Sequence, residues 1–305
     1  MQLLQKLRDS SNLGLLTQEI SQVESEARNL SRKLLDFLVQ SRGTTILYSY
    51  TGLGYVPASL MYWFSLTFQS GKYPVLAEAE EASIYLAPYR DDFSLVIFST
   101  GEYSKLITAI QVARMLEIEY FAIAPEPPAE NLKQLARHYD VITIPYQDQV
   151  KTVLFTVITA FLALSELHKG ALSSRGQRLF SHGAEGFACV FQSLVEKYVS
   201  TIESATRCSS LIVTSSRFLE APAILLSYAL RSSGLNVHYS PLEGIPSSTE
   251  TPILGVFLTT EERIRREFKT TKKASLLELL LNVDPLEAPV YVSLLAYAII
   301  RSSVL

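Results

Sequence analysis

Short, almost wholly apolar segments alternate with longer helical segments along this chain. Before residue 150, five segments have the length and composition of buried strands: Thr44–Tyr48, Pro74–Ala77, Leu95–Ser99, Tyr120–Ala124 and Val141–Ile144. A strand that is apolar on both faces has to be covered on both faces, as in a parallel sheet with helices on each side. We therefore predict an α/β fold whose first part has the five strands of a flavodoxin-like layout.

The same alternation recurs, in shorter form, in the second half of the chain. Strands are predicted at Leu211–Thr214, Asn236–Tyr239 and Pro252–Leu258, while the leucine-rich segment Leu276–Asn282 suits either a strand or a helix. The pattern predicts four regions: an N-terminal helical segment at residues 1–42, a first domain at 43–170, a linker with a bridging helix at 171–206, and a second domain at 207–305.

Helix and linker signals fill the spaces between the predicted strands. Apolar residues at helical spacing predict an amphipathic helix over Gln18–Leu38, with Thr17 as its N-cap. A further helical stretch is predicted over Glu80–Ala87, and the polar segment Lys169–Gln177 is typical of a linker.

Composition excludes several classes of function. The net charge of −3, from 27 basic and 30 acidic residues, provides no bulk attraction to nucleic acid or to a membrane surface, so neither is an expected partner. Two cysteines are too few for a disulfide framework, which favours a cytoplasmic protein. The apolar runs Val153–Leu164 and Ala288–Ile300 are shorter than the roughly 18–20 residues that cross a bilayer. No histidine pair or dinucleotide glycine fingerprint indicates a metal or a cofactor.

The turn after the third predicted strand carries the strongest chemical signal. It contains Ser99, Thr100, Gly101, Glu102 and Ser104, and an amphipathic helix follows it. The first turn of a helix has free N–H groups and partial positive charge, and short hydroxyls beside it suit phosphate oxygens. Lys105 adds a cation to the same turn. The alternative is an ordinary strand-to-helix turn whose hydroxyls only cap the helix.

Segment Ser94–Ala124 resembles the phosphate loop of sugar isomerase (SIS) domains, which occur in phosphosugar isomerases, in the isomerase half of glucosamine-6-phosphate synthase and in phosphosugar-sensing regulators. That loop usually has the order serine-x-serine-glycine-glutamate-threonine, whereas Ser99–Tyr103 has one residue fewer and ends in tyrosine. Leu47–Gly54, Ser59–Phe68 and the residues around Lys151 are similar to further family segments in order and spacing. The resemblance covers nearly the whole chain as two flavodoxin-like SIS domains.

The resemblance implies a ligand, a site and an oligomeric state. It implies that a phosphorylated sugar is bound, with its phosphate on the Ser99–Ser104 turn. The sugar-binding residues that it implies are Tyr50, Thr51, Gly52 and Lys151. It also implies a homodimer, because relatives bring residues across a subunit interface, and it implies no cofactor.

Two departures from the family concern catalysis. The family's catalytic glutamate is replaced by Arg231–Ser233, and no histidine occurs in Pro241–Ser247, where the ring-opening histidine is expected. Glu243 is the best remaining candidate base, and the alternative is that it is a solvated loop carboxylate. His238 is a candidate acid or a half-buried strand histidine. The chain is accordingly predicted to bind a hexose or aminohexose phosphate as an aldose–ketose isomerase, or to be a catalytically degraded sensor or subunit.

Overall fold

The computed structural model describes residues 7–68, 71–90, 92–170 and 173–304. The chain divides into two compact units, one formed by Val23–Glu185 and the other by Met1–Gln22 together with Gly186–Leu305. The long first helix α1, Ser10–Gln40, contributes its second half to the former unit and its first half to the latter. The predicted boundaries at residues 43, 171 and 207 stay a prediction.

The unit Val23–Glu185 contains one five-stranded sheet. Its strands are β1 Thr45–Thr51, β2 Tyr73–Glu78, β3 Phe93–Ser99, β4 Tyr120–Pro125 and β5 Ile142–Ile144. The sheet has the order β2-β1-β3-β4-β5, and every pairing in it is parallel. This is the strand order of flavodoxin-like folds, so the predicted layout of the first half is confirmed.

Helices connect these strands. They are α2 Tyr55–Phe68, α3 Tyr103–Met115, α4 Glu130–His138, α5 Gln149–Leu167 and α6 Ser174–Glu185, and three short helical turns occupy residues 79–89. The helical stretch predicted over Glu80–Ala87 is confirmed, and it consists of an α-helical, a π-helical and a 3-10 turn in succession, with the π-helical turn at Ala82–Leu86. All seven residues of β3 are buried, as expected for a strand that helices cover on both faces.

The other unit contains a four-stranded parallel sheet of order β7-β6-β8-β9. Its strands are β6 Ser210–Ser215, β7 Asn236–Tyr239, β8 Ile253–Leu258 and β9 Leu276–Leu281; its further helices are α7 Ala188–Thr206, α8 Glu220–Ser232, α9 Glu262–Thr271 and α10 Ala288–Val304. The leucine-rich segment is therefore a strand, because it pairs with β8 from Leu276 to Leu281. The two sheets with their helices confirm the predicted fold class.

Three local predictions are wrong. Thr17 does not cap α1, which begins at Ser10; its hydroxyl donates to the Leu13 carbonyl inside the helix, at 2.8 Å. Leu13 and Leu16 are buried and extend the apolar face of the helix beyond the predicted start. In the described part of the predicted linker Lys169–Gln177, α6 already begins at Ser174.

Helix α5 is longer than its apolar run suggested. At 19 residues it is the one described helix that is long and apolar enough to cross a membrane, but 83% of its most apolar window is buried inside the protein. Fifteen of its residues are buried, and they include three threonines, Thr152, Thr156 and Thr159. Two of their hydroxyls donate to carbonyls one turn earlier, which satisfies them without any partner outside the helix. These properties are typical of a core helix.

Candidate functional site

The carboxyl ends of β1 and β3 lie side by side, with Thr51 opposite Ser99 in the register. The strand order reverses between these two strands, since β2 follows on one side and β4 on the other. In open parallel sheets, ligands bind outside the carboxyl ends of the strands at such a switch point. The loops that follow, Gly52–Gly54 after β1 and Thr100–Glu102 after β3, therefore form the candidate site.

Hydroxyl groups join the two loops. The Thr51 hydroxyl donates to Ser99 Oγ at 2.8 Å, and the Gly101 amide donates to the same Oγ at 3.2 Å. The Leu53 amide donates to Thr100 Oγ1 at 3.1 Å. Ser99 and Thr100 thus act as acceptors within the protein, and Thr100, which lines the groove described below, keeps its own O–H proton for a further acceptor. An oxyanion is such an acceptor.

Two glycines make this approach of the loops sterically possible. Gly52 has φ +55°, and a Cβ at this position would lie 2.8 Å from Thr100 Oγ1. Gly101 has φ +126°, a backbone conformation that side-chain-bearing residues rarely adopt. The predicted role of Gly101, to let the backbone come close to a ligand, is compatible with the open space around it, since no atom would lie within 4 Å of its Cβ.

The charge of the turn differs from the sequence-based expectation. Lys105 Nζ lies 2.7 Å from Glu78 Oε1, 3.4 Å from Glu102 Oε2 and 3.8 Å from Glu80 Oε2. The hydrogen bond with Glu78 is the main reason why the pKa of Lys105 is raised, and the charge of Glu102 adds to it. Lys105 is therefore neutralised by carboxylates. Any anion at this turn would be held by N–H and O–H dipoles instead.

An open groove of about 940 Å³ begins at this turn. The predicted residues Thr100, Gly101, Glu102 and Ser104 line one end of it. Ser99 does not line the groove and is only 1% exposed. Its role is to accept hydrogen bonds from Thr51 and Gly101 beneath the groove surface. The remainder of the lining comes from α3, from the segments at the ends of β4 and β5, from α4 and from the start of α5: Tyr103, Lys105, Ile107, Thr108, Pro125, Glu126, Pro128, Leu132, Leu135, Gln147 and Gln149.

The groove residues between Pro125 and Gln149 were not predicted from the sequence. Only their positions could have indicated them: Pro125 ends β4, Glu126 follows it, and Gln147 follows β5, so all three lie at the same edge of the sheet as the turn. The Gln147 side-chain amide donates to the Glu126 carbonyl at 3.0 Å. Lys133 lies 2.9 Å from Glu126, and its hydrogen bond holds the pKa of that carboxyl below the usual range.

Tyr103 replaces the threonine that the resemblance places in this turn. Its side chain is buried, and its hydroxyl donates to the Pro125 carbonyl. Burial raises the pKa of Tyr103 to about 12, so the phenol remains a neutral donor. Tyr103 therefore ties the start of α3 to the end of β4.

Of the predicted sugar-binding residues, the structure places Thr51 and Gly52 beside the loop Thr100–Glu102. Tyr50 is half-buried on β1, and its ring centroid lies 4.7 Å from that of Tyr55. Lys151 does not line the groove. Its amide donates to the capping carboxylate of Asp148, and its Nζ lies 4.6 Å from the centre of the Tyr146 ring.

The predicted catalytic residues both lie in the other unit. His238 is on β7 opposite Ile212 and is exposed, so its alternative assignment as a half-buried strand histidine is wrong. Glu243 lies in the exposed turn Leu242–Gly244. Burial raises the pKa of the neighbouring Tyr239, and the charge of Glu243 contributes to that shift. The catalytic assignments of His238 and Glu243 stay predictions.

Across residues 7–68, 71–90, 92–170 and 173–304, no group of three or more histidine, cysteine, aspartate or glutamate side chains could hold a metal ion. The carboxylates nearest the switch point, Glu78, Glu80 and Glu102, surround the ammonium group of Lys105 instead.

Solved structures with the same fold are described as sugar-phosphate proteins. A proposed phosphosugar isomerase from Clostridium difficile 630 superposes with a TM-score of 0.65 at 12% identity, over 96% of this chain and 92% of that one. The C-terminal domain of glucosamine-fructose-6-phosphate aminotransferase from Francisella tularensis superposes with a TM-score of 0.62 at 14% sequence identity, over 95% of this chain and 96% of that one. Tagatose-6-phosphate ketose/aldose isomerase from Escherichia coli superposes with a TM-score of 0.55 at 12% sequence identity, over 98% of this chain and 92% of that one.

No protein-family model and no curated protein sequence matches the chain. The similarity to these structures therefore concerns the fold. At that level, the resemblance to a double-SIS protein is confirmed over nearly the whole chain.

Proposed function

We propose that this protein binds a phosphorylated hexose or aminohexose at the carboxyl ends of β1 and β3. The observation that carries the proposal is the junction of the two loops at the switch point. There, Thr100, Gly101 and Ser104 border a groove, and Thr51 and Ser99 hold the backbone from below. The phosphate would accept hydrogen bonds from the first N–H groups of α3 and from the Thr100 and Ser104 hydroxyls.

Titration of the full chain with hexose phosphates tests this proposal. We expect calorimetry to show binding of at least one of fructose 6-phosphate, glucose 6-phosphate, mannose 6-phosphate and glucosamine 6-phosphate. Combining Ser99→Ala with Thr100→Ala should weaken binding markedly, since a hydrogen bond to a charged group is worth about 1.5–3 kcal/mol. Failure of all four sugars to bind would overturn the proposal.

A single substitution places the phosphate more sharply. Thr100→Val keeps the shape of the side chain and removes its donor, so we expect it to weaken hexose phosphate binding by roughly tenfold or more. Thr108→Val is the matched control, because Thr108 also lines the groove but lies one turn further along α3. Equal affinities of the two variants in folded protein would exclude the placement at the turn.

Aldose–ketose isomerisation of the bound sugar is the second part of the proposal. A carboxylate near the ligand favours it, since Glu102 lines the same groove as Thr100. Glu243, in the loop after β7, remains the proposed base and His238 the proposed acid, in place of the family's glutamate and histidine, which this sequence lacks. General acid–base groups typically contribute 10²–10⁴-fold, so Glu243→Gln should lower turnover by about that factor with little change in binding.

The outcome of the turnover assay separates the two functional alternatives. Interconversion of any of the four hexose phosphates, lost in Glu243→Gln, supports the isomerase. Tight binding without turnover supports a catalytically degraded protein that acts as a sensor or subunit. A homodimer and a cytoplasmic location are also proposed; sedimentation of the purified chain tests the former.

A further inference from the structure

A second cavity lies within the unit Val23–Glu185, between α1, α5 and α6, and it has a volume of about 410 Å³. This volume falls in the range of about 300–1,000 Å³ that is typical of small-molecule sites. Its lining is partly apolar, with Leu35 from α1, Leu162 from α5 and Phe180 from α6. Helices form all its walls, whereas the groove at the switch point is formed largely by strand ends and loops.

Helices α5 and α6 pack closely where they border this cavity. Gly183 on α6 is buried, and a Cβ there would come within 3.3 Å of Leu162, Phe161 and Ser165 on α5. The missing side chain allows the two helices to approach closely at this point. The Gly183 and Ala184 carbonyls belong to the last turn of α6, where carbonyls have no partner within the helix.

Two arginines, Arg28 and Arg32, line the cavity from one face of α1. They are four residues apart, so their side chains lie one turn above the other. One amino group of Arg28 donates to the Gly183 carbonyl at 2.8 Å and to the Ala184 carbonyl at 3.1 Å. This fixes the Arg28 guanidinium, which has further N–H donors, at the cavity wall.

The cavity has an excess of positive charge. Within the part of the chain that the structure describes, Arg32 has no hydrogen-bond or ion-pair partner, and Arg28 has no carboxylate partner. The carboxylate that lines the cavity, Glu166, forms an ion pair with Lys169. Lys169 Nζ also lies 5.5 Å from the centre of the Phe180 ring. The charges of Arg28 and Arg32 are thus not balanced within the cavity.

We infer that this cavity binds a small organic anion, with its carboxylate or phosphate head on Arg28 and Arg32 and its apolar body against Leu35, Leu162 and Phe180. Guanidinium groups bind carboxylates and phosphates with paired N–H donors, and two of them one turn apart match a single head group. The apolar wall excludes fully hydrated inorganic ions as the preferred ligand. The site is independent of the groove after β3, with which it shares no lining residue.

Titration of the full chain with hexanoate and with phenyl phosphate tests the inference. We expect saturable binding of at least one of them, weakening as the salt concentration rises, and no binding of neutral 1-hexanol. If only phenyl phosphate binds, the site prefers ligands with a phosphate group. If hexanoate binds, the site accepts ligands with a carboxylate group. Phenyl phosphate is also measured in the Thr100→Val background, in which binding at the turn after β3 is weakened; an affinity that is unchanged there assigns the binding to this cavity.

Variants locate the ligand. Arg32→Gln should weaken binding by about tenfold or more without loss of fold, because Arg32 is exposed and forms no hydrogen bond or ion pair with the described residues. Leu35→Trp should abolish binding by filling the apolar part of the cavity. Arg42→Gln is the matched control, since Arg42 is an exposed arginine outside the cavity and should bind as the unchanged chain does.

Three results would overturn the inference. One is the absence of binding of either anion at millimolar concentration. Another is equal affinity of Arg32→Gln and Arg42→Gln for the anion that binds. The third is unaltered binding by a folded Leu35→Trp variant. None of these results bears on hexose phosphate binding, so the proposed function is judged separately.

Discussion

The hydroxyl of Thr51 donates a hydrogen bond to the hydroxyl of Ser99, 48 residues later in the chain, at 2.8 Å. Both side chains are buried, Thr51 completely and Ser99 to all but 1% of its surface. They are the last residues of β1 and β3, which pair in register at this position. The bond therefore fixes the spacing of the two loops that form the candidate site.

Removing the donor of this bond should reduce stability. Thr51→Val keeps the volume but leaves the buried Ser99 oxygen with one partner fewer, which we expect to cost about 1–3 kcal/mol of the free energy of unfolding. Urea unfolding followed by circular dichroism measures this change. Thr67→Val is the control: Thr67 is exposed on α2, and its replacement should change the free energy by about 0.5 kcal/mol or less. Equal effects of the two changes would contradict the role given to Thr51.

The fold was predictable from the sequence because its strands are buried on both faces. β3 and β8 are continuous apolar runs, and such runs separated by helical segments specify a parallel α/β arrangement. Leu276–Asn282 remained ambiguous because its five leucines, interrupted only by Glu278 before the final asparagine, fit a helix as well as a strand. Its assignment as a strand depends on pairing with β8, which is a tertiary contact.

The candidate site was predictable in place but not in charge. Ser99–Ser104 follows a buried strand and begins a helix, and both facts are visible in the sequence. The neutralisation of Lys105 was not visible, since Glu78 is 27 residues earlier and meets Lys105 only because β2 and β3 flank β1 in one sheet. Lys151 was assigned from the order of segments, and the direction of its side chain toward Tyr146 is set by local packing.

Gly52 should tolerate no side chain. Its φ of +55° disfavours any other residue, and an alanine Cβ would lie 2.8 Å from Thr100 Oγ1. We expect Gly52→Ala to lose about 1–2 kcal/mol from the backbone conformation alone and to weaken hexose phosphate binding by moving Thr100. Thermal unfolding and calorimetry measure the two effects.

Gly14→Ala is the matched change for Gly52→Ala. Gly14 lies in the interior of α1, and nothing lies within 4 Å of the position of its Cβ. Alanine in a helix is favoured over glycine by about 0.5–1 kcal/mol, so this variant should be more stable than the unchanged chain. Opposite signs for the two substitutions are the expected result; a loss of stability in both would contradict the steric argument at Gly52.

The carboxylates around Lys105 should oppose phosphate binding. Lys105→Met removes the ammonium group that offsets part of the negative charge of Glu78, Glu80 and Glu102, so we expect hexose phosphate binding to weaken several-fold. Glu102→Gln should strengthen it, because it removes a negative charge from the groove lining. Affinities measured at low and high salt should converge, since salt screens exposed charges. An affinity that is the same in all three proteins at low salt would show that this cluster does not influence the ligand.

His168 should make the stability of the protein depend on pH. It follows α5, is 7% exposed, and its ring stacks near Phe64 and Phe68 with centroid distances of 5.9 and 5.2 Å. Its Nε2 is buried without a hydrogen-bond partner among the described residues, and burial lowers the pKa of His168. The folded protein thus favours the neutral imidazole.

The sign of the effect follows from the proton count. Below a pH of about 6.5 the unfolded chain protonates this histidine, whereas the folded protein does not until its lower pKa is reached. The unfolded state then binds more protons than the folded state. The contribution of His168 to the free energy of unfolding is therefore fully present above a pH of about 6.5, and it is lost as the pH decreases toward the pKa of His168 in the folded protein. His168→Phe, which retains an aromatic ring between Phe64 and Phe68, should remove this part of the pH dependence, while His138→Gln, on the exposed face of α4, should leave it unchanged. Urea unfolding between pH 5 and 8 gives the free energy of unfolding of all three proteins as a function of pH. If the curves of the unchanged chain and of His168→Phe remain parallel over this range, His168 is not the group responsible.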